Sequence, residues 1–457
     1  MQDRYGIDWN GYAGAPFWRK PSINRRVFFR HLGAALGGYF LMPGRPMERV
    51  ACAAVSPKAT AKNCIFILLA GAPSHVDTFD LKEGPWTPAS FEPETYGGVR
   101  FPRGLLPTLA GQMESLALVR SVRSWAAVHS LAQTWVQIGR NPASAMARIS
   151  PHVGSVASLE LRPHDADPVL PVFVSLNPSG GNPENGYLPP EHAPFYVSPA
   201  GTGLANTSHR DGATRLSTRY NLLLELDGDL RGSAPLGAGP AEMASWNAAA
   251  RRLMYNPDVD RVFTFPVEER TRYGGTAFGN ACITARNLLR ARLGTRFIQI
   301  TLGSWDHHVN IYAPNGGVNA LGRQLDLGLG TLLADLKADG LLDETLIVAM
   351  GEFGRTVGNL NGQNGRDHFL QMSALFAGAR IRGGRALGST DDNGAMTAES
   401  GWHRDRDIRP EDIEATIYSA LGIDWTTVRH DDPLGRGFEY VTFADRDLFG
   451  PVHELWG

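Results

Sequence analysis

The apolar, β-branched run Thr345–Met350 (TLIVAM) empties without a spacer into GEFGRT and then NLNGQNGRDHF. A short apolar run rich in β-branched residues reads as a buried strand. In an open α/β sheet, ligands gather just beyond the carboxyl ends of the strands. Glu352, Arg355, Asp367 and His368 therefore stand where a site is expected, although the same residues also fit a surface ion pair followed by an Asn/Gly turn.

The arrangement recurs elsewhere in the chain. Residues 63–69 (NCIFILL) run into AGAPSHVDTFD, which brings Ser74, His75, Asp77, Thr78 and Asp80 to a strand end. Residues 296–302 (RFIQITL) run into GSWDHH, which brings Asp306, His307 and His308. Helical spacing separates these strands. Residues 277–293 carry Ala281, Ala285, Leu288 and Leu289 on one side, and leucines recur from Leu321 to Leu336 ahead of Gly340. Alternating strands and helices dictate a parallel sheet with right-handed crossovers. The expected class is a three-layer α/β/α sandwich with a mostly parallel central sheet.

Further strands are expected at 116–119, 169–176 and, shorter, 372–377. Pro410–Leu421 reads as a helix with proline in its first turn and Gly422 beyond its end. Another helix is expected to start near His129 and end at Gly139. Its free N–H groups offer a seat for an anion.

At 457 residues the chain accommodates one elaborated domain over 62–445, with a Pro/Gly-rich insertion at about 177–260 shaping the rim of the site. The formal net charge of −2 gives no reason to expect a nucleic-acid partner. Cys52, Cys64 and Cys282 lack metal-like spacing, though one pair could still form. Residues 1–56 form an N-terminal extension in which Arg25-Arg26 precedes a short, weakly apolar run, as in twin-arginine export signals. The run is too short to span a bilayer. Ala51-Cys52-Ala53 offers a cleavage site. Export to the periplasm or cell envelope by the twin-arginine machinery is the expectation.

Carboxylates and imidazoles at three strand ends suit zinc or another divalent transition ion. Residues 359–367 lack the acidic pattern of an EF-hand, so side-chain-capped turns explain their asparagines better than a calcium loop.

GAPSHVDTFDLK, GSWDHH, GEFGRT, GRDHF and ALGSTDDNGA, in that order behind a twin-arginine leader, resemble the bacterial family catalogued as domain of unknown function 1501. The likeness covers roughly residues 25–445. That family belongs to the alkaline phosphatase-like superfamily, with sulfatases and phosphoglycerate mutases. The resemblance implies an alkaline phosphatase-like fold holding one or two divalent ions (Zn, Mn, Ca or Mg) that hydrolyses a phosphate or sulfate ester of a small molecule or glycan. It also implies a metal set of Asp77 (Asp80 second), Asp306, His308 (His307 competing), Glu352, Asp367 and His368. Glu352 stands at the usual Asp position and Phe353 at a usual His position. The sulfatase nucleophile motif is missing; alignment on Gly139 puts His129 at the nucleophile position, with Ser130 adjacent and Thr78 a further alternative. Arg355 is then expected to bind anionic oxygens. A non-catalytic binding protein of the same fold is the alternative.

Overall fold

The computed structural model describes residues 55–163, 167–179, 182–228 and 239–457. The twin-arginine-like leader and Cys52 lie outside the described residues. Eight strands make one sheet: β1 (Asn63–Leu68), β2 (Leu116–Arg123), β3 (Phe173–Leu176), β4 (Phe195–Val197), β5 (Phe297–Thr301), β6 (Thr345–Met350), β7 (Gln371–Gly378) and β8 (Arg385–Leu387). Their spatial order is β8-β2-β7-β6-β1-β5-β3-β4. β1 sits between β5 and β6 and runs parallel to both, with Cys64 opposite Phe297 and Leu346. Only β7 opposes the common direction, pairing antiparallel with β6 and β2.

Seven helices matter to the layers and the site: α1 (His129–Ile138), α2 (Val153–Leu161), α3 (Gly212–Leu226), α4 (Gly239–Leu253), α5 (Ala277–Ala291), α6 (Gly317–Ala338) and α7 (Pro410–Leu421). α5 and α6 pack together over one face of the sheet. Ile65, Ile67, Ile298 and Ile300 share a buried cluster there with Leu288, Leu325, Leu329 and Leu332. Each such leucine contributes about 1.5–3 kcal/mol of transfer free energy. α7 is buried at every position and, with α1 and α2, covers the opposite face. The result is the α/β/α sandwich that the strand–helix alternation dictates.

Several boundaries differ from the sequence reading, each for a local reason. The strand expected at 169–176 begins only at Phe173, because Pro168 and Pro171 cannot donate to a ladder. The strand at 116–119 continues to Arg123. The one at 372–377 is not short: it has eight residues and is antiparallel. Residues 351–370 hold no helix, so the chain has no crossover and must turn back beside β6. Within the Pro/Gly-rich stretch at about 177–260, α3 is a helix of 15 residues. Residues 177–260 also supply β4, which pairs with β3 at the edge of the main sheet. Cys64 and Cys282 are free and buried. Among the described residues, no helix is long and apolar enough to cross a membrane.

Candidate metal centre

The loops leaving β1, β5 and β6 meet at one end of the sheet. Gly71 lets them approach: a Cβ there would lie 2.6 Å from the Trp305 nitrogen and 2.8 Å from the Asp306 nitrogen. Beside it, Ala72 (φ 61°) and Ser304 (φ 75°) take left-handed backbone conformations. Each costs about 1–3 kcal/mol, which the surrounding packing must sustain.

Three imidazoles from three elements converge here, His129 from the first turn of α1, His308 from the loop after β5, and His368 from the segment before β7. Each ring is pinned through Nδ1. His129 Nδ1 lies 2.6 Å from Glu352 Oε1, His308 Nδ1 lies 2.9 Å from Asp367 Oδ1, and His368 Nδ1 lies 2.8 Å from the Ala127 carbonyl. Ionised carboxylates and carbonyls only accept, so all three Nδ1 atoms carry the proton. The Nε2 lone pairs are thereby turned inward. They gather round Asp306 Oδ1, at 3.1 Å from His129, 2.8 Å from His308 and 3.4 Å from His368. His308 Nε2 and His368 Nε2 stand 3.0 Å apart. His129 Nε2 is buried without a hydrogen-bond partner. Ligand atoms of His129, Asp306 and His368 all fall within 4.8 Å of one another.

Arg355 relieves part of the repulsion among these lone pairs and the carboxylate, and a metal ion among the Nε2 atoms would relieve the rest. Nδ1 fixed by a carboxylate or carbonyl is also the usual outer support of a metal-bound histidine. The donor set therefore fits a divalent ion. The rings pack on Phe353, whose centroid is 4.7 Å from His129 and 4.8 Å from His368. Phe353 fills the position where the resemblance implied a histidine and acts as an apolar wedge between two imidazoles.

Arg355 lies against Asp306 (2.6 Å) and is almost completely buried. Its five N–H groups reach five acceptors: Ala72 O, Gly71 O, Asp306 Oδ1, Arg366 O and His308 Nε2. A guanidinium cannot accept, so its contact with His308 Nε2 independently marks that nitrogen as unprotonated. Burial pushes the Asp306 carboxyl up, but Arg355 and His129 outweigh it and hold the group well below the usual carboxylate range. The bond to Glu352 raises the His129 pKa against the opposing effect of burial. Burial lowers that of His368. The bond from His308 lowers that of Asp367.

The residues named from sequence thus separate into groups. Asp306, His308 and His368 come together, and His129 joins them as a fourth donor. Glu352 is fully buried and turned away: it accepts from Gly71 N (2.9 Å), Gln133 Nε2 (2.9 Å) and His129. Asp367 supports His308 from outside. Asp77 stands apart, buried and paired with Arg366 (2.8 Å) and Tyr312 (2.7 Å). Asp80 is buried against Thr390, Arg120 and Lys82. Arg355 has no donor left for an incoming anion. Ser130 is exposed in the first turn of α1, and Thr78 Oγ1 donates to Ser74 O. Asn361 Oδ1 accepts from Gln363 N and Gly365 N, the side-chain-capped turn expected in place of a calcium loop. Gln133, Phe353 and Arg366 escaped the sequence reading as contributors. Only Gln133 had a usable signal, its i+4 spacing from His129 on one helix face.

Fold and site together define an α/β protein with an imidazole-rich centre at the carboxyl end of a mostly parallel sheet. The chain belongs to the family described as "Protein of unknown function (DUF1501)", whose profile matches residues 61–446. No curated protein matches it. Among solved structures, the chain is similar to the lipoteichoic acid synthase LtaP from Listeria monocytogenes, with 12% identity, TM-score 0.36 and coverage of 84% of this chain and 77% of that one. A protein in the alkaline phosphatase superfamily from Vibrio parahaemolyticus gives 14% identity, TM-score 0.36 and coverage of 81% and 69%. The C-terminal periplasmic domain of EcEptC from Escherichia coli, in complex with Zn, gives 10% identity, TM-score 0.39 and coverage of 81% and 84%.

Proposed function

We propose that this chain is an exported, metal-dependent hydrolase of phosphate or sulfate esters of a small molecule or glycan. One divalent ion would be held by His129, Asp306 and His368, with His308 as the fourth donor. The observation that carries the reading is the convergence of three Nε2 atoms, each ring pinned at Nδ1, beside one carboxylate. An imidazole-rich set favours zinc over manganese, calcium and magnesium, which prefer oxygen ligands. When bound, the ion supplies Lewis-acid polarisation of the ester oxygens.

The chain's own groups set the stage for that chemistry. Glu352, Asp367 and the Ala127 carbonyl hold the rings in one tautomer and orientation. Arg355 acts as a positioning residue, neutralising Asp306 and fixing its carboxylate. The first turn of α1 begins without a side-chain cap, so its N–H groups are available to an anionic ester oxygen. Asp306, with its side chain 43% exposed, leaves the centre open to solvent. Arg25-Arg26 and the weakly apolar run after it support delivery by the twin-arginine machinery to the periplasm or cell envelope.

One observation favours a second reading, a metal-binding protein without turnover. The Arg355 guanidinium is fully committed within the protein, and the exposed Ser130 is the only hydroxyl beside His129 in the α1 sequence. Turnover of aryl phosphates and aryl sulfates by metal-loaded protein decides between the two. Hydrolysis that His368→Ala abolishes supports the enzyme. Stoichiometric metal with no turnover of either ester class supports the binding protein, and absence of both sinks the proposal. His129→Ala is expected to lose metal and activity together. Activity retained in that variant would remove His129 from the centre.

A further inference from the structure

The pentapeptide Gly365–Phe369 faces two ways. Asp367 and His368 turn toward the metal centre, while Arg366 turns inward and is fully buried. Its five N–H groups are all engaged. Nε donates to Asp77 Oδ2 (2.8 Å), Nη2 to Asp77 Oδ1 (3.3 Å) and Tyr312 OH (3.0 Å), and Nη1 to the carbonyls of Thr356 (2.7 Å) and Gly358 (2.9 Å). Tyr312 OH donates in turn to Asp77 Oδ1 (2.7 Å). Asp77 itself is only 1% exposed, so both carboxylate oxygens are spent inside the protein.

We infer that this centre holds a single divalent cation, and that the Arg366 guanidinium takes the place of a second one at Asp77. The inference rests on the metal-dependent reading above and fixes its stoichiometry. A cation entering at Asp77 would have to displace Arg366, stranding a buried guanidinium among carbonyls that cannot neutralise it. Losing the partner of a buried ion pair is strongly destabilising. Arg366 also hands its backbone carbonyl to Arg355 Nη1 (3.3 Å), so the fixed Asp77–Arg366 pair helps seat the residue that positions Asp306.

Elemental analysis of the full-length protein, saturated with zinc or manganese and then freed of loose metal, tests this directly. Saturation at one equivalent per chain is expected. Asp77→Asn keeps one acceptor oxygen for Arg366 and should still bind one equivalent with a lower Tm, whereas His368→Ala should bind none. Two equivalents in the unaltered chain overturn the single-cation inference while leaving the hydrolase reading intact, as does loss of metal from a folded Asp77→Asn. Zero equivalents overturn both. If Asp77→Asn fails to fold, the stoichiometry of the unaltered chain still decides the matter.

Discussion

At the scale of single residues, the centre is governed by which atom of each side chain is already engaged. Glu352 illustrates this. Its position after β6 marked it from sequence as a ligand, yet its oxygens accept from Gly71, Gln133 and His129 with no exposure to solvent. Glu352→Gln should leave metal stoichiometry unchanged but weaken affinity about 10–100-fold, since outer-shell partners of metal-bound histidines carry effects of that size. Chelator competition measures this, and unaltered affinity would remove Glu352 from its supporting role. Asp306 and His308 were legible because they closely follow a buried strand, and His368 because it lies in the polar, glycine-rich stretch between two apolar runs. The sequence did not reveal that Asp77 was taken, because the Arg366 partner lies 289 residues away and the pairing exists only once the loops have met. Nor does residue type alone tell whether an arginine has donors to spare. Arg355 was expected to clamp an anion, and its five bonds inside the protein leave it none.

At the scale of elements, α1 and α7 meet closely where α1 ends. α1 ends at Gly139 with φ 57°, where a Cβ would fall 1.4 Å from Glu414 Oε2 on α7. Gly139→Ala therefore combines backbone strain with a clash against buried helix α7 and should cost at least about 1–3 kcal/mol. Chemical denaturation would show this as a lower midpoint with an unchanged m-value, and an unshifted midpoint would contradict it. Burial raises the carboxyls of Glu411 to about 7 and Glu414 to about 8. An unfolded glutamate releases its proton near pH 4.3. Over the interval between, the folded state carries protons the unfolded chain has lost, so these two groups make stability fall as pH rises. Glu414→Gln should flatten the decline of Tm between pH 5 and pH 8. An identical slope in that variant would rule Glu414 out as a contributor. The glycine stop of α1 was readable in the sequence, but the acids packed behind it were not. Helical spacing marks which side of α7 is apolar, whereas this helix is buried all round and its glutamates look like surface residues when read alone.

At the scale of the whole molecule, the sandwich was the most legible feature. Largely apolar β1, β5 and β6, separated by leucine-rich helical spacing, leave little choice but a parallel sheet covered on both faces. The direction of β7 was not legible, because an apolar run carries no sign; only the helix-free connection from β6 fixes it. The same economy bears on stability. α6 presents one continuous leucine face to α5 and the sheet, so Leu329→Ala should cost about 2–5 kcal/mol by opening a cavity that rigid neighbours cannot fill. A loss below 1 kcal/mol in thermal or chemical unfolding would mean that face repacks freely. Because α6 lies on the sheet face opposite α1, the folded fraction of this variant should retain the metal stoichiometry of the unaltered chain. Every role assigned to the side chains of the metal centre requires a cation at the strand ends, which an anomalous-difference map from crystals of the metal-loaded protein would reveal. One peak is expected within coordination distance of Asp306, His129 Nε2 and His368 Nε2. A strongest peak at Asp77, or none at the three imidazoles in protein shown to carry metal, would contradict these assignments.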